Sequence, residues 1–190
     1  MKLGDAFDIT IGMVLSRKKA KDYSNEEHKY RLLSLKSIDD VGNIDETYLD
    51  EFISKEQLED TYLTQREDVV IRLTEPYCAA YIDEGYEGLL VSSNFGIIRK
   101  KHNLYEREFI KYYINSIVGK RAIRKSAAGT ALTAISITSL KELEINQYDL
   151  ATQQKFIEIN KLFENENNLL SKLMQEKSKQ LDGINYTLLK

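Results

Sequence analysis

The last forty residues of this chain constrain its architecture more than any other segment. From Asp149 to Leu188 there is no proline, and the only glycine is Gly183. Apolar residues recur there at the three- and four-residue spacing of a single helix face. A helix of about 38 residues is about 57 Å long at 1.5 Å per residue, which is too long to lie on a small domain. We expect part of it to project, and a projecting apolar face needs a partner chain.

The remainder of the 190-residue chain has the length of one domain. We therefore predict a globular domain over 1–148 and a helical appendage over 149–190. Short apolar runs, several of them β-branched, predict strands over 3–12, 30–35, 68–73, 78–82, 89–91 and 95–99. Capping and periodicity predict helices over 54–60, 106–116 and 119–127, and a short helical turn capped by Thr138 or Ser139. Strands followed by helices indicate an α+β domain with a mixed, twisted sheet and flanking helices.

Cysteine usage and hydropathy bear on the compartment. The only cysteine, Cys78, cannot form a disulfide within the chain, which fits a reducing environment. The N-terminus has no apolar run of signal-peptide length, and no segment approaches the roughly 20 apolar residues of a membrane span. We expect a soluble cytoplasmic protein that does not contact a membrane.

Charge is segregated along the chain, although the net charge is only −3. The segment 39–68 holds eleven acidic residues and two basic ones, whereas 99–125 holds nine basic residues and two acidic ones. A third cluster, basic again, lies at 17–21. Local charge density steers a polyanion even when the net charge is small. The pattern is therefore compatible with DNA or RNA binding, and the more ordinary alternative is a set of solvated charged faces.

Catalytic motifs are lacking. The chain has two histidines and one cysteine, too few for a zinc cluster of the usual kind. The glycines at Gly85 and Gly88 have the wrong spacing for a nucleotide loop, and no Walker or G-x-S-x-G motif occurs. We expect the chain to have no catalytic residues, no metal and no cofactor of its own.

Several segments, taken in order, resemble the DNA-specificity subunits of type I restriction-modification systems. Residues 2–5 with Gly12 are similar to the start of that family's target recognition domain, and 67–73 is similar to its "gDvlir" strand. Further similar segments are 92–99, 112–116, 128–131, 135–136 and 140–145. Residues 150–156 resemble the "l-x-x-Q-x-x-I" start of the family's long helix. The likeness covers nearly the whole chain.

The resemblance implies a non-catalytic subunit that reads one half of a split site in double-stranded DNA. It also implies that the long helix packs antiparallel on a mate and spaces two recognition domains. S-adenosylmethionine would bind a separate methyltransferase subunit that methylates adenine, and a motor-nuclease restriction subunit adds cleavage in systems that have one. The chain has a single proline, so it cannot contain the Asn-Pro-Pro-Tyr type of methyltransferase signature.

Two departures from the family pattern matter. Members usually have proline just before the long helix, whereas residues 145–150 contain none. Typical members also carry two recognition domains and two long helices in a chain about twice as long. The sequence therefore resembles a half-size subunit, which we expect to form a homodimer.

Basic residues are the candidate DNA contacts, because each neutralised phosphate adds salt-dependent affinity without sequence information. The candidates are Arg17, Lys18, Lys19, Arg99, Lys100, Lys101, Lys120, Arg121, Arg124 and Lys125. Thr130, after Gly129, is a further candidate through its hydroxyl, and a plain turn is the alternative. The residues that read bases are not predictable from the sequence.

The long helix provides the candidate dimerisation residues. They are Phe156, Ile159, Phe163, Glu166, Leu170, Leu173, Lys177, Leu181, Ile184 and Leu188. Glu166 and Lys177 interrupt the apolar stripe, and charged residues in such a seam fix register and orientation at some cost in stability. We predict that Glu166 meets Lys177 of an antiparallel mate.

Three functions remain open at this point. The first is a half-size specificity subunit that dimerises through 149–190 and binds a twofold-symmetric split DNA site. The second is a dimeric coiled-coil adaptor that holds a protein partner and does not bind DNA. The third, which the missing motifs disfavour, is an autonomous nuclease or methyltransferase. Salt-dependent DNA binding separates the first from the second.

Overall fold

A computed structural model describes residues 1–20, 28–102, 104–127 and 134–190. The strands are β1 Phe7–Ile11, β2 Lys29–Leu33, β3 Asp50–Ile53, β4 Val69–Arg72, β5 Ala79–Tyr81, β6 Leu90–Val91 and β7 Phe95–Lys100. The helices are α1 Leu3–Ala6, α2 Arg107–Asn115, α3 Ile117–Ala127, α4 Ile137–Lys141 and α5 Leu150–Leu188. The predicted α+β architecture with a long C-terminal helix is confirmed.

The larger sheet has the strand order β1-β7-β4-β5 and is antiparallel throughout. Its interior strand β4 begins with three consecutive buried apolar residues, Val69 to Ile71, because both faces of the sheet are covered. Val69 and Ile71 pack on the helices, whereas Val70 packs on the opposite side with Cys78 and Phe95. This alternation explains why β4 was predictable from its residues alone.

The smaller sheet has the order β3-β2-β6. Strand β2 pairs antiparallel with β3 and parallel with β6, so this sheet is mixed, as predicted. It lies on the side of the larger sheet that the helices leave free, where Leu33 and Val91 join the core cluster around Val70. The domain therefore has three layers: helices, the larger sheet and the smaller sheet.

Three local predictions were wrong. The segment 3–12 begins with α1 rather than a strand, because the Asp5 carboxylate accepts a hydrogen bond from the Lys2 amide and closes a helical turn. No α-helix forms over 54–60, where Ser54 is fully buried and its hydroxyl contacts the Lys18 carbonyl; a single 3-10 turn begins only at Asp60. The cap of α4 is Ser136, whose hydroxyl accepts from the Ser139 amide at 3.0 Å.

The loop 39–43 is fixed against β5 and the end of α2. Gly42 has φ +92°, and a Cβ there would lie 2.0 Å from the Ala79 carbonyl oxygen, so only glycine fits. The Asn115 side chain accepts from the Ala79 amide and donates to the carbonyls of Ala79 and Val41, at 2.8, 2.8 and 3.1 Å. One amide group thus joins the helical layer, the sheet and the loop.

Helix α5 starts inside the domain and ends far from it. Asp149 caps it by accepting from the Thr152 amide at 2.8 Å. In its first two turns Gln153 and Ile157 are buried in the domain. From Asn165 onward every residue is exposed. The stretch from Glu164 to Leu188 spans about 36 Å at 1.5 Å per residue, which is the projecting part that the sequence predicts.

Candidate nucleic-acid interface and helix face

Helix α3 carries one exposed group of predicted DNA contacts. Arg121 and Lys125 are exposed one turn apart, and Val118 continues the same face. Within the described chain neither cation forms an ion pair. Buried Gly119, Ile123 and Ala127 hold the opposite face against the domain.

Two other α3 cations have protein partners. The Arg124 guanidinium forms two hydrogen bonds with the Glu75 carboxylate, at 2.6 and 3.1 Å, and these bonds lower the pKa of Glu75. The Lys120 ammonium lies 3.4 Å from the Asp40 carbonyl oxygen. Arg124 and Glu75 are both about half exposed, and exposed pairs of this kind are weak. A phosphate can therefore compete for Arg124.

A second basic group borders a groove of about 500 Å³ beside the edge strand β1. Arg17 and Lys18 line it together with Thr10, Thr61 and Tyr62. Lys18 forms an ion pair with Glu56, whose pKa is lowered mainly by that hydrogen bond. Lys19 is exposed beside the groove. Hydroxyl and cationic groups in one groove are the chemistry that binds a sugar-phosphate backbone.

Arg99, a predicted DNA contact, has partners within the domain. Its Nε and Nη2 atoms donate to the two Asp68 carboxylate oxygens at 3.0 and 2.8 Å, and Nη2 also donates to the Leu63 carbonyl. Asp68 is 1% exposed. A buried carboxylate requires such a partner, so Arg99 stabilises the domain and we remove it from the interface. Lys100 and Lys101, which follow it, are exposed.

The charge segregation seen in the sequence is partly cancelled by folding. The acidic segment supplies partners to bases elsewhere: Glu46 to Arg31, Glu51 to Lys29, Glu56 to Lys18, Glu67 to Arg107 and Asp68 to Arg99. Fewer cations are therefore available for a polyanion than the sequence indicates. Thr130 lies outside the described residues.

The joint between α5 and the domain is built from polar and aromatic contacts. The buried Gln153 accepts from the Glu106 amide at 2.8 Å and donates to the carbonyls of Leu104 and Tyr148. Phe156 packs edge-on against Phe109, with ring centroids 5.4 Å apart. Phe156 is thus part of the joint, and we remove it from the predicted dimer seam.

A second set of contacts holds α5 farther along. The Glu164 carboxylate accepts from Lys111 Nζ at 2.6 Å and from the Tyr112 hydroxyl at 2.8 Å. Burial, followed by this hydrogen bond, raises the pKa of Tyr112 well above its usual value, so the phenol stays protonated and donates. Lys161 also pairs with Glu108.

The other side of α5 carries an exposed apolar stripe. Ile159, Phe163, Leu170, Leu173, Leu181, Ile184 and Leu188 are each 48 to 76% exposed. Three further members, missed by following a single three-four register, are Leu162, Leu169 and Met174. At 100° per residue most of this stripe lies across the helix from Gln153, Ile157 and Glu164, whereas Phe163 and Met174 lie at its edge nearest the domain face. Solvent exposure of so many large apolar residues indicates an interaction surface.

Two other features, a metal site and a membrane-spanning helix, are not found in the described part of the chain. Residues 1–20, 28–102, 104–127 and 134–190 hold no cluster of histidine, cysteine and carboxylates that could bind a metal ion. In the same ranges every helix is too short or too polar to cross a membrane.

Comparison with solved structures defines the fold. One match, from work on complex assembly and conformational transition of the type I R-M system, has a TM-score of 0.69, 18% identity, and covers 100% of this chain and 48% of its own. The HsdS subunit from Thermoanaerobacter tengcongensis matches with a TM-score of 0.66 and 16% identity. The match covers 95% of this chain and 45% of the HsdS chain. The type I restriction-modification S subunit from M. genitalium matches with a TM-score of 0.53 and 14% identity. The match covers 93% of this chain and 41% of the S subunit. No protein-family model matches, and no curated protein matches by sequence.

The chain therefore has the fold of the specificity subunits of type I restriction-modification systems, as its sequence resemblance predicted. It spans about half the length of the solved chains that it matches, and it contains one globular domain and one long helix.

Proposed function

We propose that this chain is a non-catalytic DNA-specificity subunit of a type I restriction-modification system, acting in the cytoplasm. Its domain reads one half of a split DNA site, and two copies joined through α5 read inverted halves. Separate methyltransferase subunits, and a restriction subunit where one is present, would supply the chemistry. The observation that carries the proposal is the exposed apolar stripe on α5, which projects from a domain with the specificity-subunit fold.

The stripe is complementary to itself in one antiparallel register. Placing Glu166 opposite Lys177 of a second copy also places Ile159 opposite Ile184. The same register sets Leu162 against Leu181, Leu169 against Met174 and Leu170 against Leu173. Four apolar pairs and one charged pair are thus matched, whereas Phe163 lies opposite Gln180 and Leu188 lies opposite Lys155. This agreement favours a homodimer over a partner of unrelated sequence.

The register gives the distance between the two domains. Ile157, which is buried in its own domain, lies opposite Tyr186 of the second copy. The two Ile157 positions are therefore separated by 29 residues of helix, about 44 Å. On B-DNA, with 34–36 Å per turn, this is about one and a quarter turns. Two domains at this separation suit a split site whose halves lie roughly one turn apart.

Selection from a random pool of double-stranded DNA, in the presence of the cognate methyltransferase subunit, tests the proposed function. The expected product is a split sequence with two inverted halves at a fixed spacing. Enrichment of no sequence would favour the adaptor alternative, in which the same helix holds a protein partner and DNA is not bound.

Charge reversal tests the register. Glu166→Lys and Lys177→Glu should each weaken the dimer about tenfold or more, because each places two like charges at both ends of the twofold seam. The double variant should restore the dissociation constant to within about threefold of the parent. Sedimentation equilibrium measures the dimer dissociation constants of the parent, the two single variants and the double variant. A double variant whose dimer is weaker than the dimers of both single variants would reject this register.

Removing Arg121 and Lys125 together should weaken DNA binding and reduce its salt dependence. If each contacts one phosphate, the slope of log K against log salt falls in magnitude by about 1.8. The measurement is fluorescence anisotropy of the selected duplex over a range of salt concentrations. The control, Lys172→Ala with Lys179→Ala, removes the same charge from the projecting part of α5 and should leave the slope unchanged. Equal slopes for both double variants would exclude α3 from the interface.

A further inference from the structure

The domain holds α5 at two separate places. The first is the anchor formed by the buried Gln153 and Ile157 and the partly buried Phe156. The second is Glu164, whose two carboxylate oxygens are bonded separately by Lys111 at 2.6 Å and Tyr112 at 2.8 Å. We call these three residues, Glu164, Lys111 and Tyr112, the clamp. It is the last described contact before the helix becomes exposed along its whole remaining length.

The two anchors have different mechanical effects. Gln153 and Glu164 are eleven residues apart, about 16 Å along the helix. A single anchor at Gln153 leaves the helix a pivot, whereas a second anchor 16 Å away fixes its direction. The clamp shares a cavity of about 400 Å³ with the polar side chains Asn43, Lys161 and Asn165 and with Ile44, Tyr81 and Tyr86. From Asn165 onward the helix is exposed, so the clamp is the outer of the two anchors along it.

The clamp is well formed electrostatically. Lys111 is 8% exposed, and its ammonium also lies 4.5 Å from the centre of the Tyr112 ring. Without Glu164 this ammonium has no carboxylate partner, because the neighbouring Glu108 is paired with Lys161. A buried cation that loses its partner moves toward water, and the helix is then held beyond Ile157 by the partly exposed Lys161–Glu108 ion pair.

We propose that Glu164 is a positioning residue for DNA specificity: the clamp fixes the angle between recognition domain and spacer helix, and so restricts the half-site spacing that the dimer accepts. This inference rests on the proposed function. A swing of about 10° at the joint moves a point 20 Å away by about 3.5 Å, which is one base-pair step. A loose joint would accept neighbouring spacings; a fixed one rejects them.

The joint is tested first without DNA. A spin label on Glu87→Cys, an exposed domain site, gives one inter-domain distance in the dimer, and fully buried Cys78 is protected from labelling. The parent should give one narrow distribution. Glu164→Ala should broaden it about twofold, and Tyr112→Phe should broaden it less, because one of two hydrogen bonds remains. Glu158→Ala, an exposed change on the same helix, should leave it narrow.

The second readout is DNA spacing. Duplexes whose half-sites are moved one base pair closer or farther should bind the parent about tenfold more weakly, and Glu164→Ala should reduce this penalty to about twofold. Affinity for a single half-site should not change. The exchange Lys111→Glu with Glu164→Lys should restore both the narrow distribution and the spacing preference.

The outcomes separate the two proposals. An unchanged distance distribution in Glu164→Ala overturns the clamp, whatever the DNA result. A broadened distribution with an unchanged spacing penalty overturns its role in specificity. If the parent binds no DNA, the proposed function fails, while the distance measurement still decides whether the clamp fixes the joint. Sedimentation of each variant confirms that it is still a dimer.

Discussion

The double substitution Leu170→Glu with Leu173→Glu is expected to convert the proposed dimer into monomers. In the antiparallel register the twofold axis passes between Ser171 and Lys172, so Leu170 and Leu173 of both copies meet there. Four carboxylates would replace four leucines at the centre of the seam. Juxtaposed like charges cost several kcal/mol, so the dissociation constant should rise by at least about a thousandfold. Analytical ultracentrifugation over a range of protein concentrations measures it.

The matched control places the same two charges on the opposite side of α5. Gln175→Glu with Ser178→Glu lies away from the stripe, at residues that are also exposed. Its dissociation constant should stay within about threefold of the parent, because exposed substitutions outside an interface have small effects. Loss of the dimer in both double variants would mean that the added negative charge itself, rather than its position on the stripe, prevents dimerisation. Survival of the dimer in the leucine variant would contradict the proposed seam.

The substitution Asp68→Ala is expected to destabilise the domain by about 3 kcal/mol. Asp68 is almost fully buried and accepts three hydrogen bonds, two from Arg99 and one from the Gln65 amide. Removing one partner of a buried pair typically costs 3–5 kcal/mol because the other charge stays behind. The Arg99 side chain is 27% exposed, so water relieves part of this cost and the lower end applies. Urea unfolding followed by circular dichroism measures the change.

An exposed ion pair nearby in sequence is the control. Glu84→Ala removes the partner of Arg66, and both side chains of that pair are more than half exposed. Pairs of this kind contribute little, so the unfolding free energy should change by less than about 0.5 kcal/mol. A similar small change for Asp68→Ala would show that Arg99 is not held by a buried partner, and would return Arg99 to the set of candidate DNA contacts.

The sequence predicted those elements whose burial follows a simple period. Strand β4 is buried on both faces and appears as a continuous apolar run, and α2 and α5 show the helical spacing clearly. Strand β3 was missed because three of its four residues are exposed or only partly buried, and it lies in an acidic segment. The capping-box pattern at Ser54 failed because its hydroxyl is used by a distant carbonyl, at Lys18. Such tertiary contacts are not encoded in local spacing.

The candidate sites show the same limit. Counting bases identified Arg99, but its partner Asp68 lies 31 positions away and is brought beside it only by the pairing of β4 with β7. In α5, one periodic stripe included Phe156, which packs on the domain, together with Ile159, which faces solvent. Periodicity identifies a helix face, and it does not say which part of that face the same chain covers.

The burial of Gln153 and Ile157 has a consequence for recombination between related chains. The first two turns of α5 belong to the hydrophobic and polar interior of the domain. A graft that joins a foreign domain at residue 148 would pair it with helix residues that its interior was not built to receive. Chimeras joined after Glu164 would keep both anchors with the domain to which they fit. Under the proposed function, domains of different DNA specificity should therefore be exchanged as units that include the start of the helix.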